Sequence, residues 1–155
     1  MSLEADIEVL RAIPFFEGFS DEHLRLIAFS AESRSLPEKL LLYDEGQLLH
    51  SAYVVVSGAL RGERKSKAAE AAVKREIGPG VILGERALIL DTRASESVRV
   101  EARARVLQIR KAAFRRLLQE YPQIALALRA RLTRNVLRAS AEISRVGRRL
   151  AAMER

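Results

Sequence analysis

Within the stretch Gly78–Val98, the residues best suited to hold a small anion are the run Gly84-Glu85-Arg86-Ala87, followed by a second run, Arg93-Ala94-Ser95-Glu96-Ser97. A glycine at position 84 lets a ligand or a second backbone come close. The peptide N–H groups of a short helix starting there would point at a negative charge. A carboxylate at Glu85 is awkward beside such a site unless it accepts hydrogen bonds from a group rich in hydroxyls, such as a ribose. Just upstream, Gly78-Pro79-Gly80 reads as a tight turn feeding the short apolar run Val81-Ile82-Leu83, because proline fixes φ between two residues free to adopt positive values.

Other chemistries find few residues to work with. The chain has no cysteine and only two histidines, which removes thiol nucleophiles, disulfides and cysteine metal sites and leaves a metal centre little to build on. His23 and His50 are expected as solvated surface residues. There is no glycine-lysine phosphate loop and no Ser/His/Asp grouping. Glu85, Asp91 and Glu96 are close in sequence, but a ligand loop accounts for them without general acid–base work. The expectation is a binding protein and not an enzyme.

The elements that must position these residues change character along the chain. Residues 4–12 read as a short helix, and Ser20 is placed to cap a second, with Asp21 and Glu22 in its first turn and Leu24, Ile27 and Ala28 on one face. From Ser35 to Ile109 the pattern is that of strands. Leu40–Tyr43 is stopped by an Asp44-Glu45-Gly46 turn, and Ala52–Leu60 ends on Gly58. Residues 61–76 read as two strand ends joined by a mobile loop, with Lys65, Lys67, Lys74 and Arg75 on a solvated hairpin tip. In the last strand Val98, Val100, Ala102 and Ala104 share one face, with charged residues on the other. Phe114–Glu120 forms a short helix, and Pro122 opens a long final one. Short strands with glycine turns, bracketed by helices, predict an α+β, mainly β fold: an antiparallel β-roll (jelly-roll-like) with N-terminal helices and a long C-terminal helix. The domain is expected over 1–122 and the final helix over 123–155.

In this order and spacing, the Gly84-Glu85 run resembles the phosphate-binding cassette of cyclic-nucleotide-binding domains of the catabolite activator and protein kinase A regulatory subunit type. Ile13-Pro14-Phe15-Phe16-Glu17-Gly18-Phe19-Ser20 is similar to the start of that family's fold, and Asp44-Glu45-Gly46 with Ser51–Gly58 to its first hairpins. The resemblance covers most of residues 8–137. It implies a cyclic nucleotide, cAMP or cGMP, as ligand. Glu85 would hold the ribose 2′-OH, backbone N–H groups near Arg86 and Ala87 would take the phosphate, and Arg93, Ala94 and Ser95 would lie beside it. Ser97 stands where the family often has a threonine that in some members contacts a guanine.

One position departs from the family pattern. An arginine ten residues after the cassette glycine normally pairs with the cyclic phosphate, and here Ala94 stands there, with Arg93 one place earlier and Glu96 at a position that is usually small. A one-residue slip in an extended segment turns a side chain to the opposite face. Losing a charge-assisted pair to phosphate lowers affinity about tenfold or more.

At 155 residues, 48% apolar and 30% charged, the sequence is that of one soluble globular domain with room for an appended helix. No apolar run reaches the ~20 residues needed to span a bilayer, and the acidic start does not read as a signal peptide. A cytoplasmic protein with no membrane partner is expected. The net charge is +7, and its weight lies in residues 129–155, where eight arginines stand against Glu142 and Glu154.

That basic segment also carries a heptad pattern. Leu132, Val136, Ala139, Ile143, Val146, Leu150 and Met153 alternate at spacings of four and three, with Val136, Ile143 and Leu150 at a positions. Such a seam predicts a homodimer through a parallel two-stranded coiled coil, although Gly147 costs about 1 kcal/mol in a helix interior.

Three readings stand at this point. The first is a non-enzymatic sensor that binds a cyclic nucleotide and signals through its last helix to an effector protein or domain. The second is a ligand-independent dimeric interaction module with a degenerate pocket. The third is the effector domain of a catabolite-activator-type transcription regulator. That type carries a helix-turn-helix after the long helix, and none fits before Arg155, so specific DNA binding is not expected from this chain alone.

Overall fold

A computed structural model describes residues 2–65 and 72–133 of the chain. Helix α1 (Leu3–Arg11) starts at Ser2, whose side chain accepts the Ala5 N–H at 3.1 Å. Helix α2 (Asp21–Ser30) starts in the same way at Ser20, which accepts the His23 N–H at 3.1 Å. Each cap satisfies one of the first-turn donors that have no partner inside the helix. The strands are β1 (Glu32–Leu36), β2 (Leu41–Tyr43), β3 (Leu48–Leu49) and β4 (Ser51–Arg64), then β5 (Val73–Ile77), β6 (Ile82–Leu83), β7 (Thr92–Arg93) and β8 (Ser97–Arg110). Helix α3 (Lys111–Glu120) follows, and α4 occupies residues 122–133 of the described chain.

All strand pairings are antiparallel. The main sheet runs β1-β8-β4-β5, with β2 also on β8 and β6 also on β4, and β3 pairs with β7 in a separate ribbon. This is the expected α+β roll with helices at its ends. The long strands β4 and β8 form its spine and serve two hydrophobic clusters at once. Val55, Leu60, Val98, Val100, Ala104 and Val106 fill the roll interior. Ala52, Val54, Leu107 and Ile109 instead pack under the helices, against Leu10, Phe16, Ile27 and Phe114. Alternate side chains of a strand point to opposite faces, so a strand covered on both sides is apolar in both registers. This is why Val106-Leu107-Gln108-Ile109 is continuously buried.

Several local expectations are corrected. Gly58 does not end its strand; β4 continues to Arg64. At Gly58 (φ +89) the strand makes an irregularity against β8, with register shifts on both sides of Ser57. The extra residue inverts the side-chain parity, so Val55 before it and Leu60 after it both face the roll interior. Ala102, expected to face inward with Val100 and Ala104, is exposed, and it lies opposite Ala59 next to those register shifts. His23 is not a fully solvated residue. Its ring is half-buried, edge-on to Phe19 with centroids 6.5 Å apart, and its Nδ1 is buried without a hydrogen-bond partner among the described residues.

The start of the final helix is docked. Ile124 and Leu128 are buried in the same cluster as Phe114 and Leu117, and Arg131 reaches back to Glu17 at 2.7 Å. Leu132 is 37% exposed. The other positions of the expected dimer seam, Val136, Ala139, Ile143, Val146 and Leu150, lie outside the described residues, as does the hairpin tip at 66–71.

Candidate functional site

Gly84 adopts φ 71°, ψ 27°, the left-handed region that favours glycine. It is also hemmed in, since a Cβ there would lie 3.1 Å from the Ser51 carbonyl oxygen and 3.3 Å from the Leu49 side chain. Both demands select glycine, and together they hold the start of the following 3-10 turn, Glu85–Leu88, against β4. Ala87 and Leu88 bury their side chains completely, which anchors the turn and leaves Glu85 half-buried and Arg86 exposed on its outer side. The Ala87 N–H already donates to the Gly84 carbonyl at 3.0 Å.

The second run returns along β7, whose Arg93 and Thr92 pair with Leu48 and Leu49. Ala94 is fixed by its backbone, with its N–H donating to the Gln47 carbonyl and its own carbonyl accepting from Gly46 N–H, both at 2.8 Å. Its side chain is buried in the roll interior. Arg93 is exposed and donates to the Gly46 carbonyl at 3.0 Å. The one-residue slip thus puts a methyl group into the core and the guanidinium on the rim.

Between the two runs is a cavity of about 360 Å³. Gly84, Glu85, Arg86, Arg93, Ala94 and Ser95 line it together with Tyr43, Arg75 and Glu96. The geometry therefore brings together six of the expected site residues. Ala87 lies beneath the site as a core residue. Ser97 is not in the cavity wall. Its hydroxyl accepts the Glu45 N–H at 2.8 Å and donates to the Asp44 carboxylate at 3.3 Å, holding the β2–β3 turn.

Two lining residues were missed by sequence reasoning. Arg75, expected on a solvated hairpin tip, instead lines the cavity and is gripped by Glu96, with Nε 2.8 Å from Oε1 and 3.0 Å from Oε2. That hydrogen bond raises the Arg75 pKa above the ordinary guanidinium value. Tyr43 lies deeper, and burial first, then the Glu96 charge, pushes its phenol pKa up, so the hydroxyl stays protonated. No alternation marks Tyr43, because Leu41, two residues earlier, is exposed and the register shifts between them. No local signal marks Arg75, because its partner is set by strand register. At the far end of the cassette, the Lys111 ammonium hydrogen-bonds the Asp91 carboxylate and ties the run to the start of α3.

A larger groove of about 500 Å³ lies on the outer face of the roll, lined by Lys39, Asp44, Arg61, Ser97, Arg99 and Glu101 among others. Several of its polar groups are tied to one another or to the backbone. Arg61 bridges Glu76 and Glu101, Arg99 donates to the Lys39 carbonyl, and Ser97 holds the turn. The smaller cavity, lined by a left-handed glycine, a half-buried carboxylate and Arg75, Arg86 and Arg93, is the candidate site.

The sequence profile of the cyclic nucleotide-binding domain family matches residues 33–121. A cyclic nucleotide-binding-like protein from Brucella abortus is 37% identical, with a TM-score of 0.66 over 74% of this chain and 97% of that one. The cyclic AMP receptor protein of Thermus thermophilus is 25% identical over 134 residues, covering 86% of this chain and 62% of the relative. The chain thus spans less than two thirds of that relative's length. The N-terminal domain of a transcriptional regulator from Streptomyces coelicolor shares the fold at 22% identity, with a TM-score of 0.80 over 87% of this chain and 94% of that one. With the profile covering more than half of the residues, the roll in place and the cassette built as described, this chain belongs to the cyclic nucleotide-binding domain family.

Proposed function

We propose that this domain is a non-enzymatic sensor that binds a cyclic nucleotide, cAMP or cGMP, in the cavity between the Gly84–Leu88 turn and the Arg93–Glu96 run. The observation that carries this reading is the placement of Glu85. Its half-buried carboxylate stands in the cavity wall between Gly84 and Arg86, with Arg93 and Ser95 across from it. A carboxylate among arginines accepts hydrogen bonds from ribose hydroxyls, while the guanidinium groups face a phosphate. Arg93 reaches the phosphate by leaving the Gly46 carbonyl, an exposed contact that costs little to break.

Signal output is assigned to α4. Ile124, Leu128 and the Arg131–Glu17 pair hold it on the helical cap. The cassette reaches the same region through the Asp91–Lys111 contact. Dimerisation through the heptad pattern that begins at Leu132 is part of the proposal. So is attachment to an effector, for which the N-terminal domain of the Streptomyces transcriptional regulator offers a precedent.

A second reading, a ligand-independent interaction module, is favoured by one observation: Ala94 is buried and offers a phosphate no charge. Isothermal titration separates the two. The sensor reading predicts saturable binding of cAMP or cGMP at micromolar to submillimolar concentration, weakened about tenfold or more by Glu85→Ala. Absence of heat and of any thermal shift at millimolar nucleotide supports the module instead.

A further inference from the structure

The cavity contains an anion of its own. The Glu96 side chain is only 14% exposed although it carries a charge, and its carboxylate clasps Arg75 through both oxygens. The seat is built by β-sheet register. Gly62 of β4 lies directly opposite Arg75 of β5 and Val98 of β8, and the Glu96 carboxylate reaches Arg75 across the bare backbone of Gly62. A Cβ at position 62 would stand 2.2 Å from Glu96 Oε2, so any larger residue there is incompatible with the present position of Glu96.

The pair also divides space. Arg75, Ser95 and Glu96 line the cassette cavity of about 360 Å³ and equally a neighbouring cavity of about 250 Å³ that extends toward Arg64 and Lys74. A pocket of about 360 Å³ is near the lower end of the range that encloses small-molecule ligands. Releasing Glu96 would join the two spaces and turn a neutralised arginine into a free one.

We propose that Glu96 is a resident competitor for the ligand phosphate. A cyclic nucleotide, or any compact phosphate monoanion that fits the cassette, binds by displacing the Glu96 carboxylate from Arg75, and Arg75 replaces the guanidinium that Ala94 does not supply. The inference rests on the sensor reading of this cavity and deepens it. The exchange is reversible, since the Arg75 side chain is 52% exposed and an ion pair at a wet edge contributes little net stability. Charge explains why the swap is needed: a phosphate entering beside an unmoved Glu96 meets a like charge, whereas one that takes its place meets a bidentate donor.

The test titrates cAMP and cGMP into four folded proteins, wild type, Glu96→Gln, Gly62→Ala and the double variant Glu96→Gln/Arg75→Ala, with thermal melts to verify folding. Glu96→Gln removes the competing charge at constant size. Gly62→Ala keeps the charge but expels it, and at small cost because the clashing atom is the end of a flexible side chain. The inference predicts that both single variants bind about tenfold or more tightly than wild type and that the double variant loses the gain. If wild type binds and both single variants stay within about twofold of it, the competitor is refuted while the pocket stands. If none of the four binds, both the competitor and the sensor reading fall. Should Glu96→Gln not fold, Gly62→Ala carries the same comparison.

Discussion

Gly58 and Ala104 meet backbone to backbone across β4 and β8. A Cβ at position 58 would lie 2.5 Å from the Ala104 Cα and 2.3 Å from the Arg103 carbonyl oxygen. The glycine also has φ +89, so a side chain there meets strain as well as a clash. Gly58→Ala is expected to destabilise the fold by about 2 kcal/mol or more, read as a lower denaturant midpoint at unchanged slope. A neutral Gly58→Ala would mean that the β4 irregularity does not set the register of the spine.

The cassette's link to α3 gives a pH signature. The hydrogen bond and charge of Lys111 hold the Asp91 pKa below the ordinary carboxylate value. Folding therefore favours ionised Asp91, and the contribution is fully present above the unfolded value of about 3.9 and lost as pH falls through the lower folded one. Lys111→Met keeps the buried stem and removes the charge. Its stability deficit relative to wild type is expected at neutral pH and should shrink on going below about pH 4. A deficit that stays constant through the acid range would show that the contact contributes through packing alone.

Docking of the last helix is a packing prediction. Ile124 is fully buried and Leu128 nearly so, against the Phe114 cluster. Ile124→Ala should cost about 2–5 kcal/mol, whereas Leu126→Ala, at a 64% exposed position, should fall within about 0.5 kcal/mol of wild type. Thermal or chemical unfolding of the two variants side by side checks the assignment of faces.

Hydrogen exchange reads the output step. With saturating cAMP or cGMP, the amides of 122–133 are expected to change protection together with those around Gly84, because the Asp91–Lys111 contact connects the cassette to α3 and the helices behind it. A change confined to the cassette would leave α4 out of the signal.

The parts of this fold that were legible in the sequence are those governed by local demands. Ser20 caps α2 because a hydroxyl at that point satisfies free N–H groups. Gly84 and Gly80 take positive φ where the turns require it. Gly58 misled because a glycine in a valine-rich run looks like a stop, and only the neighbouring β8 reveals it as an irregularity within a longer strand. The site divides in the same way. Gly84 and Glu85 could be placed from the residues themselves, and Arg93 only from the resemblance to the cassette. Ser97, one residue beyond Glu96 at the start of β8, turned out to hold the Asp44–Glu45 turn, a consequence of strand parity. Arg75 could not be found from sequence, since 21 residues separate it from Glu96 and the sheet register alone brings them together.

The central claim is that the cavity under Gly84 is the ligand site, and backbone amide shifts during a cAMP or cGMP titration test it most directly. The account predicts saturable perturbations at Gly84, Glu85, Arg86, Arg93 and Ser95, with Arg75 and Glu96 moving in step as their contact exchanges. Perturbations centred on Lys39, Arg61 and Arg99 in the outer groove, or none at millimolar nucleotide, would contradict it.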